Sequence, residues 1–150
     1  MLTDLILASL HHLFFFALIS MLVAESMLLR GAVDGAVVQR LARLDGGVGM
    51  SASLLLVVGL LRVFHGVKGY DFYLHNPWFH AKLGCFVLAG LLSILPTVRF
   101  LRWRKAAKDN PGFVAPSGEV ASMARIVRFE LVLVAAILIF AAMMARYGGF

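Results

Sequence analysis

The sequence predicts an all-α integral membrane protein, a four-helix bundle with both termini on the outer, periplasmic side. Three observations lead there. Of the 150 residues, 61% are hydrophobic and 15% charged, against about 45–50% and about 25% in soluble domains. The apolar residues gather into four runs, at roughly 5–29, 48–65, 79–101 and 126–145, near the ~20 residues that cross a bilayer as a helix. Basic residues crowd the connections on one side of those runs, which marks the cytoplasmic face.

Such a composition excludes a soluble enzyme, a nucleic-acid-binding module and a disulfide-stapled secreted domain. Little chain is left for a second unit, so residues 1–150 read as a single transmembrane domain in a lipid bilayer. The net charge of +6 belongs to membrane flanks and not to a nucleic-acid partner. Cys85 stands alone, which rules out a disulfide or thiolate cluster within one chain. Residues 1–10 hold no Lys or Arg, and no small-x-small site interrupts the apolar stretch to Leu29. Residues 5–29 therefore read as a retained first helix.

That helix stops at Arg30-Gly31. Residues 32–47 read as a loop or a short amphipathic piece at the membrane surface, because Val37, Val38, Leu41 and Leu44 recur at helical spacing between arginines. The second span opens with Gly49, Ser51, Ala52 and Ser53, small residues that permit close helix approach. A connection rich in Gly and aromatics follows, from Gly66 to Trp78, and its Tyr and Trp suit the headgroup region. The third span carries Pro96, placed to kink it. The fourth begins after the polar stretch from Lys105 to Ser122.

Arg30, Arg40 and Arg43 lie in the first connection, and Arg99, Arg102, Arg104, Lys105, Lys108 and Arg125 in or beside the third. The opposite side carries Arg62, Lys68, Lys82 and Arg146. This asymmetry places both termini outside. His11, His12, His65, His75 and His80 then gather at the outer end, while Glu25, Asp45 and Glu130 fall towards the other.

Ionisable groups inside a span are costly, so each needs a reason. His11 sits within the first span and shares a face with Glu25, fourteen residues or about four turns on. Phe15, Leu18 and Leu22 fill the stripe between them. His12 points about 100° away, so His11 is the inward one. Neutral imidazole ligates metals and haem iron, and helix bundles hold such groups on facing helices. His80, Lys82 and Cys85 begin the third span at the level of His11. Lys82 suits iron only as a neutral amine; alternatively Lys82, Arg62 and Lys68 pair with porphyrin propionates. Glu25 with Arg30, and Glu130 with Arg99, read as structural ion pairs. No CxxC, CxxCH, GxGxxG or phosphate loop is present.

The ordered set His11-His12, Gly59-Leu60-Leu61-Arg62-Val63-Phe64, Lys68-Gly69-x-x-Phe72-Tyr73, Asn76-Pro77-x-Phe79-x-x-Lys82 and Pro96-Thr97-x-x-Phe100-x-Arg102-Trp103 resembles the small bacterial predicted membrane proteins grouped as domain of unknown function 2214. More distantly, Leu10-His11, Arg40-Leu41-Ala42-Arg43-Leu44-Asp45 and Trp78-Phe79-His80-Ala81-Lys82-Leu83 resemble motifs of the HemJ-type protoporphyrinogen oxidases. That second resemblance implies a multi-pass protein of the bacterial inner (cytoplasmic) membrane. It also implies haem b held by His11 and Lys82, with electrons leaving to quinone. His80 matches the motif without a role. A further histidine common in that family is replaced here by Ser93 and Pro96-Thr97.

The expected function is therefore that of a haem b-binding membrane protein, an oxidoreductase acting on a porphyrinogen-like or quinone substrate. Its cofactor-binding residues are His11, His12, Arg62, Lys68, His80 and Lys82, with His11 and Lys82 on the metal. The alternative is a non-enzymatic transporter subunit or assembly factor with structural buried ion pairs, forming a homodimer on the small-residue face of the second span. A third reading is a di-metal or copper site from His11, His65 and His80.

Overall fold

The computed structural model describes residues 1–147. In chain order they form α1 (Leu2–Leu28), α2 (Gly35–His65), the single-turn α3 (Tyr70–Leu74), α4 (Pro77–Asp109) and α5 (Ser117–Arg146). All but α3 are long and apolar enough to cross a membrane. No strand occurs among the described residues.

Local chemistry accounts for the helix starts. Asp34 caps α2 by accepting a 2.9 Å hydrogen bond from the Val37 amide, and Asn76 caps α4 by accepting one of 3.0 Å from Trp78. Pro77 follows at the first helical position, where its missing N–H costs nothing. Gly69, with φ 77°, turns the chain into α3 in a conformation that side chains disfavour.

Residues 32–47 are not a separate loop or surface piece. From Gly35 they are the first turns of α2, continuous with the second span. Val38 and Leu41 are fully buried, so the stripe between the arginines is packed against the bundle. Gly46 and Gly47 cost about 1 kcal/mol each in a helix, too little to break one that buries its flanks. A Cβ at Gly47 would meet the thioether end of the Met21 side chain, which would have to swing aside. Likewise, α4 runs through Pro96 to Asp109 and α5 starts at Ser117, so the third and fourth helices extend beyond their apolar runs.

The four long helices alternate in direction and form a ring in which α1 packs on α2, α2 on α4, α4 on α5 and α5 back on α1. The α1–α2 and α4–α5 pairs pack most extensively, and the α5–α1 seam least. Packing is tightest at the end that carries the α1–α2 and α4–α5 loops. Val33, Val38, Leu41, Phe100 and Val127 are fully buried there. The Ala115 amide donates to the Val33 carbonyl at 2.9 Å, tying the two loops together. The outer surface is apolar, with Phe16, Met50, Val57, Leu91 and Ile139 exposed. That is the surface expected where lipid and not water surrounds a bundle.

Candidate functional site

The opposite end, where the described chain begins and ends, is less closely filled. A cavity of about 110 Å³ lies between all four long helices there. Phe15, Leu55, Phe86 and Ile137 supply part of its apolar wall, and Tyr73 of α3 borders it. Three basic side chains enter it: His11 from α1, Arg62 from α2 and Lys82 from α4.

Each is placed by its helix. His11 lies against Gly59 of α2, where an added Cβ would stand 3.5 Å from the ring. Its Nδ1 is buried without a hydrogen-bond partner, and so is the Nε of Arg62. The Lys82 ammonium sits 5.4 Å from the centroid of the Phe79 ring, a cation–π contact. Among the described residues, no carboxylate borders the cavity. Arg62 and Lys82 are both half-buried, and no ion pair among the described residues engages either.

The other three expected cofactor residues lie outside the cavity. The His12 Nδ1 is 2.6 Å from the Ala8 carbonyl on the exposed face of α1. His80 is exposed, its Nε2 2.8 Å from the Leu74 carbonyl. Lys68 is exposed, 4.9 Å from the centroid of the Phe72 ring. The three-histidine metal site does not form. His65 and His80 are both exposed, and among the described residues no three His, Cys, Asp or Glu side chains gather to hold a metal ion.

Further along the bundle interior, a second cavity of about 170 Å³ shares Leu56, Phe86 and Ile137 with the first and reaches Glu130. Glu130 and Glu25 are 3% and 1% exposed, and each has an Oε1 without a partner. Asp45 accepts a 2.7 Å hydrogen bond from the Thr97 hydroxyl. The bundle thus carries a basic group of side chains towards one end and an acidic group towards the other.

The expected pairs Glu25–Arg30 and Glu130–Arg99 are absent. Arg99 instead pairs with Glu119 at 2.8 Å, and the same carboxylate accepts a 2.8 Å hydrogen bond from Trp103 Nε1. Eleven residues separate Glu119 from Glu130, about 16 Å along a helix, so Arg99 cannot serve both. Arg30 lies beyond the end of α1 and is exposed, whereas Glu25 is buried within the helix.

Sequence reasoning missed Tyr73. The Gly- and aromatic-rich connection was expected to place its tyrosines among lipid headgroups, yet Tyr73 is 7% exposed and turned inward. Its ring stands 5.4 Å from that of Phe79. The signal was the glycine pair Gly66 and Gly69, which lets a single helical turn fold back over the bundle.

No curated protein and no solved structure matches the chain. A family model described as "Predicted membrane protein (DUF2214)" matches residues 3–149. The chain belongs to the DUF2214 family of predicted membrane proteins.

Proposed function

We propose that this membrane protein binds an acidic, lipid-soluble molecule in the cavity between its four long helices. The observation that carries this reading is the convergence of His11, Arg62 and Lys82 on one apolar cavity that, among the described residues, no carboxylate borders. The two cationic side chains would meet the acid, and the apolar walls its body.

Haem b is the ligand its donor set suits best. His11 would hold the iron, and Arg62 and Lys82 would pair with the propionates, Lys82 alternatively serving as a second nitrogen donor. Loaded haem supplies one-electron redox chemistry, which would serve oxidation of a porphyrinogen-like substrate with a quinone as acceptor. Space sets the condition. A cavity of about 110 Å³ is smaller than the roughly 300–1,000 Å³ of pockets that enclose drug-sized ligands. Seating a tetrapyrrole there would require the wall side chains to move.

Purification in mild detergent tests the haem assignment. A Soret band is expected, abolished or shifted by His11→Ala and kept in His12→Ala. A colourless protein, or a band that survives both changes together, rejects haem. An acidic lipophile in the organic extract of a colourless protein would leave the broader reading standing.

A further inference from the structure

The loosest seam of the ring, between α1 and α5, opens at the loop end into a groove of about 420 Å³, wider than either cavity inside the bundle. Arg30, just past the end of α1, and Arg128, on α5, both border it, as do Ser26 and Ser117. Among the described residues no carboxylate borders the groove, the ion pair found, Arg99–Glu119, involves neither arginine, and Arg128 donates from Nε to the Ala124 carbonyl at 3.2 Å. Ser26 is 9% exposed, so the groove reaches into the buried part of the helix pair. The first turn of α5 adds backbone donors, because Pro116 at its N-cap brings no side-chain acceptor.

Depth narrows the identity of the anion. Arg30 follows the first apolar run, and Arg128 lies near the start of the last. The groove therefore sits where hydrocarbon gives way to headgroups. On either side α1 and α5 expose apolar side chains, Met27 and Val132 among them, against which acyl chains can lie. Basic pockets between membrane helices are established sites for anionic headgroups.

We propose that this groove binds the phosphate of an anionic phospholipid, with Arg30 and Arg128 as its charged contacts. The proposal is independent of the ligand in the basic cavity.

The test is native mass spectrometry of the full chain in detergent micelles doped with equal amounts of phosphatidylglycerol and phosphatidylcholine. Preferential retention of phosphatidylglycerol is expected, falling about tenfold or more in the Arg30→Gln/Arg128→Gln variant. Ala121→Trp, which fills the groove and leaves both arginines in place, is expected to lose it as well. Arg102→Gln/Arg104→Gln removes two exposed cations outside the groove and is expected to keep it. Equal retention of the two lipids overturns the proposal, as does unchanged retention in either groove variant. Equal loss in the Arg102/Arg104 variant would reveal a general effect of surface charge, and displacement by inorganic phosphate a simple anion site; either result overturns it too. Should the Arg30/Arg128 variant fail to fold, Ala121→Trp decides.

Discussion

Arg62 on α2 and Lys82 on α4 line the same apolar cavity, and among the described residues no carboxylate borders it with them. Both side chains are half-buried, and no ion pair among the described residues engages either. Replacing Arg62 with Met should therefore leave the ligand-free protein as stable as before, within about 0.5 kcal/mol. Retention of the cavity ligand should fall in the same variant. Thermal unfolding in detergent, before and after removal of bound small molecules, checks both halves. Loss of stability in the ligand-free state would mean that Arg62 has a structural partner.

Glu119 gathers two donors from α4, the Arg99 guanidinium and the indole N–H of Trp103. The ion pair is partly exposed and contributes little by itself. Trp103, however, is 3% exposed, and its N–H would be left without an acceptor. Glu119→Ala should destabilise the bundle by about 1–3 kcal/mol, and Glu119→Gln by less, since an amide oxygen still accepts. Chemical or thermal unfolding of both variants distinguishes this from the pairing expected at Glu130.

Glu130→Gln is the counterpart. Because its Oε1 has no partner and Arg99 is engaged elsewhere, the amide should be tolerated within about 0.5 kcal/mol or be mildly stabilising. A loss of several kcal/mol in the same unfolding measurement would show that Glu130 has a cationic partner.

Gly47 of α2 lies against the Met21 side chain of α1. Gly47→Leu should cost about 1–3 kcal/mol by overpacking against Met21. The double change Gly47→Leu/Met21→Ala should recover much of that cost, and a double-mutant cycle measures the recovery.

What was legible in the chain was whatever depends on one helix at a time. Each span announced itself by apolar length, and the stripe from His11 through Leu18 and Leu22 to Glu25 followed from helical period alone. Leu18, Leu22 and Glu25 are indeed buried, and His11 lines the cavity while His12 does not. What depends on register between helices was not legible. The choice of Glu119 over Glu130 by Arg99 is set by how α5 lies along α4. The inward turn of Tyr73 is set by what α3 packs against. The continuous α2 was obscured by Arg40, Arg43 and the Gly46-Gly47 pair, which read as an interruption because their cost is visible locally while the burial of Val38 and Leu41 is not.

The central claim is that the cavity takes an acidic, lipid-soluble molecule held by its two cations. The most direct measurement is the content of non-phospholipid acid in organic extracts of the protein purified in mild detergent, compared with the Arg62→Gln/Lys82→Met variant. A stoichiometric acidic lipophile in the unaltered protein, reduced about tenfold or more in the variant, is the predicted result. Equal amounts in the two proteins, or none in either, would contradict the account.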